Sequence, residues 1–324
     1  MALIILIFEQ INQQIMVWLL IAVIGMAFFS YLLVTGIESL AGILNLRDYT
    51  FMLIAFPVFS SLPDLIIILL NLVYGGTLGP GMAISAAVGE PFIVVVMGIP
   101  AVLTLSLVRY GRRGLRLFND SKERINRILY IPIIVSVFAY ITMIFLAKIY
   151  IVIALVAIII TAFYIYARNL KKEVSESVKK MSVMLAIIFI IAGFAGLVLF
   201  GKLLVESVIE VSSITKISPF AQSFIVFPLS AAMPEFFASF SLILKGKREA
   251  AIASLLGEIV ITATLYPALI FAFVNPVLSF AVVFGMVLEI ISAIATILIS
   301  IKTSMIYIMP LDLAVIFLFA IFIL

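Results

Sequence analysis

Four carboxylic acids, Asp64, Glu90, Glu235 and Glu258, stand in otherwise apolar surroundings and form two matched pairs. Asp64 and Glu235 each follow a proline directly, as Pro63-Asp64 and Pro234-Glu235, whereas Glu90 and Glu258 each follow a glycine. A carboxylate in hydrocarbon costs several kcal/mol, roughly 2.5–3.5 on insertion scales, so it persists where it faces a partner or a cavity. No Lys or Arg falls at a similar depth in these apolar stretches, so a bound cation or a proton must neutralise the acids. The chain has no histidine and no cysteine. Any cation site must therefore be built from oxygen, which suits Ca²⁺, Mg²⁺, Mn²⁺ or Na⁺. The structural alternative is four protonated carboxyls that hydrogen-bond helices together.

The prolines add ligands of a second kind. Pro63 has no N–H and clashes with the carbonyl four residues earlier, so the helix opens around Phe59–Ser61. Pro234 does the same near Ser230–Ala232. Freed carbonyls at such breaks can coordinate a cation beside the carboxylate. Ser60 and Ser61 could add hydroxyls in the first case, while Ala231 and Ala232 offer backbone oxygen alone. Glu38, Glu206 and Glu210 fall near helix ends, and Glu289 belongs to no matched pair. These four are read as structural.

The elements that must position these residues are membrane helices. Of the 324 residues, 66% are hydrophobic and 11% charged, against about half and about a quarter in a soluble domain. Continuously apolar stretches such as Tyr150–Ala162 exclude the alternation of a membrane β-barrel. Hydropathy and punctuation place ten spans at 15–44, 51–74, 82–107, 128–147, 149–167, 181–210, 219–244, 249–274, 277–300 and 305–323. With that count, 17 of the 20 Lys and Arg fall on one side, leaving Lys148, Lys202 and Lys216 on the other. The positive-inside rule makes the basic side cytoplasmic, with both termini outside. The apolar N-terminus lacks a basic region and a small-residue cleavage site, so it is not read as a cleaved signal.

The two halves are related. Residues 32–64 and 203–235 align without a gap at an offset of 171, matching Pro57 with Pro228, Pro63 with Pro234 and Asp64 with Glu235. After a three-residue gap, Gly89-Glu90 matches Gly257-Glu258. Five helices per half is an odd number, so the second half runs inverted through the bilayer. Inverted repeats with matching proline-interrupted helices point to a secondary transporter with a mid-membrane site. The expected fold is thus an all-α integral membrane protein of two inverted five-helix repeats, 1–167 and 181–324, joined by a cytoplasmic basic linker at 168–180. An intramembrane hydrolase is disfavoured, because a serine–histidine dyad is impossible without histidine. No enzymatic activity and no resident cofactor are expected. The expected partners are the lipid bilayer and inorganic cations, with no nucleic acid.

At Ser60-Ser61-Leu62-Pro63-Asp64 and Ala231-Ala232-Met233-Pro234-Glu235 the chain resembles the cation/calcium exchanger superfamily, which contains sodium/calcium and proton/calcium exchangers. The repeats of that family carry Gly-Thr-Ser-Leu-Pro-Glu and then Gly-Asn-x-x-Gly-Ser-Asn. The resemblance implies ten helices in two inverted repeats around a central cation site. It matches Asp64 and Glu235 with the principal Ca²⁺-coordinating glutamates. It matches Ser60, Ser61, Ala231 and Ala232 with the Thr-Ser pairs that line the site. Several positions depart from the pattern. Phe59 and Ser230 replace the leading glycine, and Glu90 and Glu258 replace asparagine. Ile93-Val94-Val95 and Ile261-Thr262-Ala263 replace the downstream polar residues. The function implied is antiport of Ca²⁺ against H⁺ or Na⁺. The added acids favour the proton, since one Ca²⁺ would balance only two of four carboxylates. The alternative is a divergent member that carries another cation or no longer transports.

Overall fold

The computed structural model describes residues 13–43, 61–111, 122–146, 156, 181–246, 248–302 and 308–323. In chain order the helices are α1 (Gln13–Ile43), α2 (Leu62–Tyr74), α3 (Gly79–Ile93), α4 (Ile99–Tyr110), α5 (Lys122–Phe145), α6 (Val183–Thr215), α7 (Pro219–Ala231), α8 (Met233–Leu244), α9 (Arg248–Phe273), α10 (Phe280–Lys302) and α11 (Ile308–Ile323). No strand occurs among the described residues. Among the described residues, five apolar stretches are long enough to cross a bilayer: 14–37, 76–110, 183–215, 255–273 and 280–299. The α7–α8 pair, bent by 48° at Ala232, makes a sixth. The expected span 149–167, apart from Val156, lies outside the described residues, as do residues 51–60 of the second span and the linker 168–180.

Local chemistry explains where the helices begin and bend. Proline occupies the first turn of α2, α4, α7 and α8, where its missing N–H would have had no partner in any case. Ser182 caps α6 by accepting from the Leu185 N–H at 3.3 Å, and Lys216, left-handed at φ 61°, ends it. α3 and α4 are joined by a π-helical turn, Val94–Gly98, set between Pro91 and Pro100. Each proline removes a backbone donor, and the widened turn accommodates the mismatch directly after Glu90.

α1 and α6 have 31 and 33 residues, hence lengths of about 46 and 50 Å, so each must tilt in a hydrocarbon core of about 30 Å or extend beyond it. They pack along one another through small residues. A Cβ on Gly193 would lie 2.6 Å from the Leu33 nitrogen, so the two backbones meet there. The Phe200 ring covers Gly25 and the Phe29 ring covers Gly196, a reciprocal exchange between positions that differ by 171 in number. Lipid does not drive helices together by exclusion of apolar surface, so close backbone packing of this kind supplies the adhesion.

α3 is the centre of the molecule. Every residue from Gly81 to Ile93 is buried, and α3 packs against α2, α7, α9 and α10. The main apolar core unites α3, α5, α9 and α10, and a second gathers where α1, α2, α6 and α7 meet. Large apolar side chains such as Trp18, Phe28, Val108, Leu199 and Phe273 point outward, as expected for a lipid-facing rim.

Candidate functional site

The acids are positioned by the breaks that the prolines impose. In the second half, α7 ends at Ala231 and α8 begins at Met233, so the opening falls within the expected Ser230–Ala232. Glu235 then sits in the first turn of α8, and Asp64 sits in the first turn of α2 in the same way. Ser61 caps α2. Its carbonyl accepts from the N–H groups of Asp64 at 3.1 Å and Leu65 at 3.2 Å. Ser60 and Phe59 lie outside the described residues.

All four paired acids are buried, at 1–7% exposure, as are Ser61, Ala231 and Ala232. Glu90 is the hub. Its carboxyl interacts electrostatically with Asp64 most strongly, then with Glu258 and Glu235. Acids numbered 64, 90, 235 and 258 are therefore brought together from α2, α3, α8 and α9. The Glu90 carboxyl adjoins that of Asp64. Among those residues, no three carboxyls converge closely enough to grip one metal ion together. A narrow crevice at Asp64 is lined by Ile67, Ile68, Ala86, Phe227 and Pro228. It has no room for a water-sized sphere, so the walls must part before a hydrated ion could enter.

Two further features complete the site. Gly89 lets α3 touch the backbone of α7, since a Cβ there would stand 2.0 Å from the Phe224 carbonyl oxygen. This contact brings Glu90 to the broken α7–α8 element. Tyr266 of α9 reaches the other break, with its hydroxyl 2.7 Å from both the Ser61 carbonyl and the Ser61 Oγ. That hydroxyl also interacts with Asp64, Glu90 and Glu258. Sequence reasoning passed over Tyr266, whose equivalent in the first half is not a tyrosine. It also passed over Asp312 of α11, buried and bonded to Ser292, although an aspartate in so apolar a helix is itself a signal. Of the acids read as structural, Glu206 is exposed and pairs with Lys202 at 3.8 Å, and Glu210 is exposed near the end of α6. Glu289 is fully buried.

Buried carboxyls gathered at proline-broken helices in an apolar helical body define an integral membrane protein of the ion-transporter class. The comparisons narrow that class. A family model described as sodium/calcium exchanger protein matches residues 14–170 and 185–324, and the chain belongs to that family, within the cation/calcium exchanger superfamily. The members of that family are cation transporters, not enzymes. Among solved structures, the H⁺/Ca²⁺ exchanger CAX superposes with a TM-score of 0.71 at 14% identity, covering 99% of this chain and 84% of that one. YfkE superposes at 0.63 with 16% identity, covering 99% and 95%. The sodium-calcium exchanger NCX_Mj superposes at 0.60 with 17% identity, covering 96% and 99%. At such identities the likeness is one of fold. No curated protein matches the chain in sequence.

Proposed function

We propose that this chain is a secondary active antiporter that moves Ca²⁺ across the membrane in exchange for H⁺ or Na⁺. The observation that carries the reading is the convergence of Asp64, Glu235 and Glu258 on Glu90, two acids from each half of the chain. Asp64 and Glu235 are assigned as the principal cation ligands, with Glu90 and Glu258 completing the negative charge. Carbonyl oxygens at the two breaks, those of Ser60, Ser61, Ala231 and Ala232, and the Ser60 and Ser61 hydroxyls supply neutral ligands.

Two inverted five-helix repeats, ten spans in all, are the architecture that fits this assignment. The Gly25–Phe200 and Phe29–Gly196 contacts exchange under the offset of 171, as a two-fold relation between the halves requires. Likewise α2 packs on α6 and on α3, while α8 packs on α1 and on α9. Movement of the α1–α6 pair past the remaining helices would open the crevice at Asp64 to one side and then the other. The charge distribution supports a cytoplasmic position for the basic loops, with both termini outside.

The proton is the favoured counter-ion. One Ca²⁺ balances two of the four carboxylates, only acids contribute to the field at Glu90, and the remaining two groups hold protons. A second reading, a divergent member carrying another cation or none, draws on the lack of three ligating carboxyls among the described residues and on the buried apolar Ile93, Val94, Val95, Ile261 and Ala263. Flux of Ca²⁺, Mn²⁺ and Na⁺ in proteoliposomes separates the two. Ca²⁺ uptake driven by an imposed pH or Na⁺ gradient is expected, and an absence of Ca²⁺ flux under both gradients would overturn the antiport reading.

A further inference from the structure

At the C-terminal end of α2, Lys202 of α6 sets its Nζ 5.1 Å from the centre of the Tyr74 ring, a cation–π contact. Glu206, one turn further along α6, lies 3.8 Å from the same ammonium group. Beneath the contact the two helices are pressed together, with no room for a Cβ on Gly201 against Leu70, one turn before Tyr74. Lys202 and Tyr74 therefore join α6 to α2 across the boundary along which a moving α1–α6 pair must slide.

The same two residue types recur at the related positions of the other junction, with their order exchanged. Under the offset of 171, Lys202 matches Tyr31 of α1, and Tyr74 matches Lys245, directly after α8. The register is continuous on both sides. The Gly25–Phe200 and Phe29–Gly196 contacts end just before Tyr31, and α2 and α8 start 171 residues apart, at Leu62 and Met233. α1 packs on α8 as α6 packs on α2, though less extensively. Gly201 and Leu70 match Ser30 and Ser241. Ser30 is fully buried, and its hydroxyl has no hydrogen-bond partner among the described residues. Such a hydroxyl is costly. Closing α1 onto α8 as tightly as α6 closes on α2 would bring Ser241 against it. The charge distribution sets Lys202 on one face of the membrane and Lys245 on the other.

We propose that Lys202–Tyr74 and Tyr31–Lys245 are two latches, on opposite faces of the membrane, that hold the α1–α6 pair alternately at either end of its travel. Inverted repeats exchange roles between the two end states of a transport cycle, so the arrangement of α6 and α2 here is the one that α1 and α8 take in the other state. In this structure the Lys202–Tyr74 latch is engaged. In the opposite state Lys245 stands over the Tyr31 ring, and Ser30 and Ser241 meet beneath it. The exchange of residue types keeps each latch a single cation–aromatic pair, with the lysine on the moving helix in one and on the stationary group in the other. Both tyrosines are exposed, so each latch biases the balance without locking it. Loss of an exposed cation–π pair shifts a two-state ratio by about two- to fivefold.

The inference rests on the antiport reading for the motion of α1 and α6, but its test requires no transport. Spin labels on cysteines at Leu199 and Val73 report the distance between α6 and α2. Labels at Phe28 and Leu244, the positions related to these by the offset of 171, report that between α1 and α8. All four residues are exposed on the outward-facing rim, and the chain has no cysteine of its own. Lys202→Met and Tyr74→Leu should each lower, by about two- to fivefold, the ratio of the state with α6 against α2 to the state with α1 against α8. Tyr31→Leu and Lys245→Met should raise that ratio by a similar factor. Lys202→Met combined with Tyr74→Leu should shift it no further than either alone, since both remove one contact. Additive shifts would mean two separate interfacial anchors and would overturn the latch. Distance distributions unchanged in all four variants, or shifted in one direction by both pairs, would overturn it as well. Ca²⁺ flux decides the antiport reading separately. The expected shifts in a protein without Ca²⁺ flux would retain the latches and remove only that choice of cargo.

Discussion

Glu90 experiences three other acids and no compensating base, so the charge state of the group is a property of the set. Protons and a cation compete for the same oxygens, so cation binding should release protons and weaken as pH falls. Replacing both Glu90 and Glu258 with Gln should flatten that dependence and leave weaker binding at Asp64 and Glu235. Calorimetry in buffers of different ionisation enthalpy counts the protons, and zero release by the wild type would contradict the scheme. Asp64→Asn and Glu235→Gln should each abolish flux while the protein still purifies as a folded monodisperse species. Wild-type rates in both would remove these two residues from the site. Tyr266→Phe is a subtler case. It deletes the hydroxyl that holds Ser61, which should destabilise the fold by about 1 kcal/mol and weaken cation binding. Thermal unfolding in detergent with and without Ca²⁺ separates the two effects, since a ligand-binding defect appears as a smaller Ca²⁺-dependent rise in midpoint.

Helices here are held by close approach, so small residues at crossings are the sensitive positions. Gly89→Ala would drive a methyl into the Phe224 carbonyl, and Gly193→Leu would push α6 off the backbone of α1. Overpacking of this sort costs about 1–3 kcal/mol. Its functional effects should differ between the two sites. Gly89→Ala displaces Glu90 from α7 and should reduce cation affinity, whereas Gly193→Leu obstructs the α1–α6 contact and should slow transport with affinity retained. Equilibrium binding measured beside flux distinguishes these outcomes. Reversed results would mean that α3 rather than the α1–α6 pair limits the rate.

Across the whole molecule, the charge distribution predicts that Arg112 and Lys245 face the cytoplasm and Asn275 faces outside. The absence of cysteine makes single-cysteine labelling direct. Finding Lys245 and Asn275 on one side would refute the ten-span arrangement. Much of the architecture was legible from residue order. Apolar length and proline placement marked α1, α6, α9 and α10, and put a break near Ser230–Ala232, where the structure has it at Ala232. Boundaries moved by a few residues, most at α5, which begins at Lys122 rather than at 128, and at α6, which continues to Thr215 rather than ending at 210. The widened turn at Val94–Gly98 was not foreseen, because it depends on how α3 and α4 together accommodate Pro91 and Pro100.

Membrane character, the doubled Pro-acid pattern and the paired glycine-glutamate positions were contained in the chain itself, because hydropathy, missing backbone donors and internal repetition are local properties of residue order. Which side chains meet was decided only by tertiary packing. That Glu90 lies at the centre of the acids, that Tyr266 holds Ser61 across 205 positions, and that Ser136 faces Glu289 across 153, follow from the rotation and register of helices about their axes. Those quantities are set where glycines allow backbones to touch. Linear order carries them weakly, since a helix turned by one residue, about 100°, presents a different face to its neighbour.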